Sequence, residues 1–359
     1  MKHTVKKLIP LKCNKLIDKL LKGVLTKRKI ESQERELVKQ KIELMERQLL
    51  STKQQFDIAK QELDVSMQEL VKYKQKFDGM ENALFVKKEP DFIIVGAQKA
   101  GTSSLFDYLN KLDGFKGSNI KEIHYFSIDD RFKKNKDWYL SHFSSDTNQR
   151  TFEATPFYLY HPESPSRIFN SIKTSKFIVL LRNPAERAYS HWNMFRSSHR
   201  DIDKKKRFLD QAIKGSYFYN LMMEAKFPSF KDSINEDLLK YHEKISDINP
   251  GYVRRGLYYE QLQNYLKYYN IKNFLFVDFE DLTNNIPKVL KQVLDFLDIG
   301  EHEGEKLLAN LNMAEINISN KGKYESQCED DKETLEYLRE FYKPHNEKLF
   351  NLIGKRFDW

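Results

Sequence analysis

The chain has 359 residues, 40% of them hydrophobic and 31% charged, enough for a packed domain together with further segments. With 61 Lys and Arg against 52 Asp and Glu, the formal charge is +9, which favours an anionic partner such as a nucleotide, an acidic polymer or phospholipid headgroups. Two cysteines, Cys13 and Cys328, exclude a disulfide framework or cysteine-rich zinc site and fit a reducing, cytoplasmic setting; no run of about 18 apolar residues is present to span a bilayer.

Residues 1–28 interleave lysine with leucine, isoleucine and valine. The stretch LIPLKCNKLIDKLLKGVL is broken by lysines too often for a signal peptide. As a helix it would be basic and amphipathic, suited to an anionic membrane surface at the inner face, or equally to packing on its own protein. Residues 29–88 carry a heptad. Ile42, Leu49, Phe56, Leu63, Leu70 and Phe77 fall seven apart, and Met45, Thr52, Ala59, Ser66, Tyr73 and Met80 follow each by three. With Lys, Glu and Gln between them and no proline, this predicts a coiled-coil helix that makes a homo-oligomer. Thr52, Ala59 and Ser66 weaken the second seam and keep open a helix that folds back on its own domain. Gly79 and the KKEP stretch at 87–90 are expected to end the helix.

From residue 89 to 359 the pattern is globular. FIIVGA (92–97), KFIVLLR (176–182) and FLFVDF (274–279) are short apolar runs without polar alternation, as in strands buried on both faces of a parallel sheet. SSLFDYLNKL, PAERAYSHWNMF and YYEQLQNYLKYY read as intervening helices. The expectation is an α/β fold, a P-loop-like parallel sheet flanked by helices, with ligands at the carboxyl ends of its strands.

The first strand runs into GAQKAGTSS. Gly96 and Gly101 have the spacing of a nucleotide phosphate loop, G-x-x-x-x-G-K-[ST], but Thr102 follows Gly101 and the lysine, Lys99, lies inside the loop. Backbone amides of such a loop and of the helix after it would cradle an anion. The string resembles the 5′-phosphosulfate loop of sulfotransferases that use 3′-phosphoadenosine-5′-phosphosulfate (PAPS), whose lysine stands two residues before the second glycine. KFIVLLRNPAERAYSHW resembles the second phosphate-binding segment of that family, a strand, R-[DN]-P, then a helix with serine eight residues after the arginine. The resemblance implies nucleotide contacts from Gln98, Lys99, Ala100, Gly101, Thr102 and Ser103, and a 3′-phosphate held by Arg182 and Ser190. A guanidinium fork and a hydroxyl suit that phosphate. NKGKY (320–324) resembles the family's S-K-G-R loop and implies closure over the nucleotide by Lys321, Gly322, Lys323 and Tyr324. Lys323 stands where arginine is frequent, reducing a forked contact to a point charge.

KEIHYFS (121–127) resembles the K-E-x-H-[FY]-F-[DN] segment of the heparan sulfate branch, with Ser127 in place of the acid. Sulfuryl transfer requires the acceptor to lose a proton, which a carboxylate can take. The resemblance implies Glu122 as general base, with His124 as supporting group or alternate base. Lys99 would stabilise charge on the leaving oxygen. FEATPFYLYHP (152–162) implies acceptor contacts from Glu153, Thr155 and Tyr158. REFYKPHN near the carboxyl end also looks familial, so the resemblance covers about residues 91–359. It implies a carbohydrate acceptor and no metal. A P-loop kinase with Asp278 as magnesium ligand lacks the lysine after Gly101. A coiled-coil scaffold with an inactive domain would have no need to keep Lys99, Glu122, Arg182 and Ser190 together. Acidic residues are mixed too evenly with basic ones to suggest a nucleic-acid partner.

Overall fold

The computed structural model describes residues 11–84, 86–145, 149–212, 214–245, 249–310 and 328–359. Lys321, Gly322, Lys323 and Tyr324 therefore lie outside the described residues, as does the start of the basic amino-terminal segment. The chain divides into two compact units, Met1–Met80 and Glu81–Trp359.

The described residues of the first unit all belong to one helix, α1 (Leu11–Leu84), of 74 residues. At a rise of about 1.5 Å per residue it is about 110 Å long. It crosses the expected boundary at residue 28 without a break and passes through Gly79, which does not end it. A lone glycine costs a helix only about 1 kcal/mol relative to alanine, too little to stop a long run of strong helix formers. Every described side chain between Asp18 and Tyr73 is exposed, the heptad residues from Ile42 to Tyr73 included.

The second unit holds a sheet of five strands: β1 (Phe92–Gly96), β2 (Phe115–Gly117), β3 (Arg150–Ala154), β4 (Phe177–Leu181) and β5 (Phe274–Asp278). Their order is β2-β3-β1-β4-β5 and every pairing is parallel. Central β1 places Ile93 opposite Glu153 on one side and Phe177 on the other. All residues of β1 and β4 are buried, as their unbroken apolar sequences require of strands covered on both faces. β2 and β3 carry no such run: one is three residues long and the other alternates polar with apolar.

Helix α2 (Thr102–Leu109) follows the β1 loop and helix α3 (Pro184–Arg200) follows β4. Proline at its first turn and the Asn183 side chain, accepting from the amides of Ala185 and Glu186 at 3.0 and 3.4 Å, start α3 immediately after Arg182. Helices α4 (Tyr258–Tyr265), α5 (Phe279–Asn284) and α6 (Glu329–Ile353) complete the frame of the site. Because all five strands run the same way, their carboxyl ends present residues 97–101, 118–128, 155–163, 182–183 and 279 along one edge of the sheet.

Candidate active site

The loop after β1 is shaped by two left-handed residues, Lys99 at φ 70° and Gly101 at φ 89°. At Gly101 this is also a packing demand, since a Cβ there would lie 2.6 Å from Leu282 Cδ2. The amides that open α2 have no acceptor within their own helix, and no side chain caps them.

Arg182 closes the loop from the next strand. Its Nη1 donates to the Lys99 carbonyl at 3.2 Å, and its guanidinium lies 4.4 Å from the centre of the Phe279 ring. Tyr258 Oη donates to the Arg182 carbonyl at 2.9 Å and fixes the strand end. Ser190 is buried on the α3 face that also carries Arg187.

Burial pushes the Lys99 ammonium below its ordinary pKa, and the positive charge of Arg182 adds to this, while Glu122 acts in the opposite direction. Arg187 and Lys121 are close enough to contribute as well. Four cations thus gather around the loop with one carboxylate among them. Such a surplus in a partly buried place fits a polyanionic ligand.

Glu122 sits where the chain passes the carboxyl end of β3, its amide donating to the Ala154 carbonyl at 3.1 Å. Lys121 Nζ meets its Oε1 at 2.8 Å and His124 Nε2 stands 3.5 Å from its Oε2. Burial raises the Glu122 pKa, but the His124 hydrogen bond and the Lys121 charge outweigh it and hold the carboxyl at about 2. The carboxylate is therefore ionised at neutral pH, with its side chain still 43% exposed. On the far side of the imidazole, Nδ1 lies 3.0 Å from Ser127 Oγ. Ser127, which departs from the resembling segment, is thus the second partner of His124.

Both Glu122 (φ 61°) and His124 (φ 53°) occupy the left-handed region, which side chains other than glycine seldom adopt. Contacts from outside the segment hold them there. Thr155 Oγ1 accepts the His124 amide at 3.5 Å, and Arg131 Nη1 donates to the carbonyls of Ile123 and, at 3.4 Å, Glu122.

The structure brings Lys99, Glu122, His124 and Arg182 to one edge of the sheet. The residues expected to contact the acceptor, Glu153, Thr155 and Tyr158, are each 0% exposed. Both faces of β3 are covered, and the three polar groups turn toward one another instead of outward. Asp278, the acid a magnesium-dependent kinase would use, caps α5 by accepting from the Glu280 amide at 3.1 Å.

Arg255 had no signal beyond its place in RRG, yet it braces the loop. Its Nη1 donates to Gln98 Oε1 at 2.6 Å, its Nη2 to Asn249 Oδ1 at 2.9 Å, and it lies against the rings of Phe157 and Tyr160 at 4.6 and 4.9 Å. Burial lowers its pKa to about 10, so it remains charged. Among the described residues no group of three His, Cys, Asp or Glu side chains is placed to hold a metal ion, and no helix is long and apolar enough to cross a membrane.

Fold and site define an α/β domain with a cluster of cations at the carboxyl edge of a parallel sheet. Residues 89–343 match the sulfotransferase domain family, and the chain belongs to it. It is 26% identical to a membrane-associated sulfotransferase of Dictyostelium discoideum, over 75% of this chain and 66% of that one, just under two thirds of the relative's length. To the human heparan sulfate glucosamine 3-O-sulfotransferase 5 it is 25% identical, over 76% of this chain and 75% of that one. The crystal structure of a sulfotransferase from Alicyclobacillus acidocaldarius shares the fold with a TM-score of 0.51 at 22% identity, over 75% of this chain and 98% of that one.

Proposed function

We propose that the protein transfers the sulfuryl group of PAPS to a hydroxyl or amine of a carbohydrate. The observation that carries this reading is the meeting of an ionised, still accessible Glu122 with Lys99 on the edge where the cradle lies. The heparan sulfate enzymes among the relatives support a saccharide as acceptor.

In this reading the amides of Gln98 to Ser103 and the Lys99 ammonium hold the 5′-phosphosulfate, while Arg182 and Ser190 hold the 3′-phosphate. PAPS supplies an activated sulfuryl group whose bond to the 5′-phosphate breaks as the acceptor oxygen or nitrogen bonds to sulfur. Glu122 takes the acceptor proton, and His124, held by Ser127, keeps the carboxylate oriented. Lys99 offsets the charge that grows on the departing phosphate oxygen. Adenosine 3′,5′-bisphosphate leaves, with Lys321, Gly322, Lys323 and Tyr324 assigned to closing over it.

Heavy-sulfur PAPS offered with a saccharide panel, with products read by mass spectrometry, tests the reaction; no transfer to any member sinks it. Glu122→Gln should lower kcat by about 10²–10⁴-fold, the usual range for a general base. Affinity for adenosine 3′,5′-bisphosphate should stay within about twofold of the parent. Full activity in that variant would remove Glu122 as the base.

Two placements belong to the same reading. The exposed heptad of α1, with Leu49 at 71% and Phe56 at 68%, supports a coiled-coil homo-oligomer, because a lone helix would leave that seam in water. Leu49→Glu with Leu63→Glu should yield monomers in sedimentation experiments. Exposed Leu20, Leu21, Val24 and Leu25 beside Lys19, Lys22 and Lys27 support peripheral contact with an anionic, cytoplasmic membrane face. The Dictyostelium relative, named as membrane-associated, agrees with this. Co-sedimentation with anionic but not neutral vesicles would check it.

A further inference from the structure

Glu153 is a carboxyl at the end of β3, fully buried and, among the described residues, without a cation beside it. Its Oε1 accepts from Tyr139 Oη at 2.6 Å and its Oε2 from Thr155 Oγ1 at 2.8 Å, and Tyr158 hydrogen-bonds it as well. A hydroxyl has one proton to give, so a hydroxyl that donates to the carboxylate has its lone pairs left for other donors. Thr155 Oγ1 uses one for the His124 amide at 3.5 Å, and Tyr158 Oη uses one for the Phe126 amide at 3.4 Å. Both amides belong to the segment in which Glu122 and His124 hold left-handed backbone. Hydrophobic packing would bury this strand end better with an apolar residue, since burying a carboxyl without a counter-charge is unfavourable.

We propose that Glu153 is a positioning residue for the base segment, its carboxylate orienting the Thr155 and Tyr158 hydroxyls so that they receive the His124 and Phe126 amides and fix the turn carrying Glu122. This deepens the assignment of Glu122 as base and rests on it. A carboxylate only accepts, so it commits each hydroxyl to one orientation. A protonated or amide group at the same place must donate somewhere and turns one hydroxyl away from its amide. The titratable groups facing Glu153 are Tyr139 from the Lys136–Leu140 helix, Tyr158 from the segment after β3 and Tyr265 from α4. All three are phenols that burial holds well above their ordinary value, so none competes with Glu153 in the neutral range.

The test is a pair of near-isosteric variants, Thr155→Val and Thr155→Ser, measured in the full-length enzyme with PAPS and a working acceptor. Thr155→Val should lose about 10-fold or more in kcat with the KM for PAPS unchanged, the scale expected when a reacting group is displaced by less than an ångström. Thr155→Ser, which keeps the hydroxyl, should retain activity. In a Glu122→Gln background Thr155→Val should add no further loss, because the group it positions is already gone. Glu153→Gln should fall further behind the parent as pH rises from 6 to 8.5, since only the parent gains carboxylate over that range. The proposal is overturned if Thr155→Val is fully active, if its loss multiplies that of Glu122→Gln, if the KM for PAPS moves with kcat, or if the Glu153→Gln deficit is the same at every pH. Full activity of Glu122→Gln would instead remove the base assignment itself, a separate outcome read from the single variant.

Discussion

Replacing Glu153 by glutamine removes a titration that burial has moved. Burial at 0% exposure raises its pKa from the ordinary 4.5 to about 7, against the pull of its hydroxyl partners. A carboxyl whose pKa is higher folded than unfolded favours the folded state most below the unfolded value. That contribution is lost as pH rises toward and through the folded value. At about 1.4 kcal/mol per unit, the loss between pH 4.5 and 8 is on the order of 3 kcal/mol. Glutamine has no such titration. In urea denaturation followed by circular dichroism at pH 4.5, 6, 7 and 8, the variant should gain on the parent by that amount, mostly between pH 5 and 7. All other titrating groups are common to both proteins and cancel in the difference. A difference independent of pH would refute the reasoning, because Glu153 would then have the same pKa folded and unfolded. The form that is costly to bury is also the form assigned to positioning Glu122, so stability and turnover should move in opposite directions with pH.

Other perturbations reach the cradle. Gly101→Ala meets both a left-handed backbone, at about 1–2 kcal/mol for an L side chain, and Leu282 at 2.6 Å; it should lower the melting temperature and weaken binding of adenosine 3′,5′-bisphosphate by calorimetry. Arg182→Ala should weaken that binding by about 10- to 150-fold, the equivalent of one charged hydrogen bond of about 1.5–3 kcal/mol. Arg182→Lys should recover only part of it, since lysine loses both the fork and the stacking on Phe279 at 4.4 Å. Lys99→Ala should reduce kcat by about 10²–10³-fold in a PAPS-dependent assay while the bisphosphate product still binds.

The two strand-turn-helix segments assigned to the donor were legible because their parts are contiguous. GAQKAGTSS and LRNPAERAYS each contain a strand end, a turn and a helix start, and local chain geometry alone brings those residues to one edge of the sheet. The three long apolar strands were legible for the same reason, while β2 and β3 were not, being short or alternating. Helix α1 runs past Gly79 and ends at Leu84, ahead of KKEP, because a lone glycine is too weak a breaker in a strong helix-forming context.

By itself, then, the sequence determined the class of sheet and the two strand-turn-helix segments that carry Lys99 and Arg182. These depend on neighbours within a dozen residues. Only the tertiary structure decided what lies behind Glu122. Arg255 reaches Gln98 across 157 positions, and the Thr155 hydroxyl reaches the His124 amide across 31. A segment such as FEATPFY reads the same whether its polar residues face a cleft or one another. On a strand covered on both sides, alternation loses its meaning, and only the packed fold shows that Glu153 points inward, toward the hydroxyls that hold the base segment.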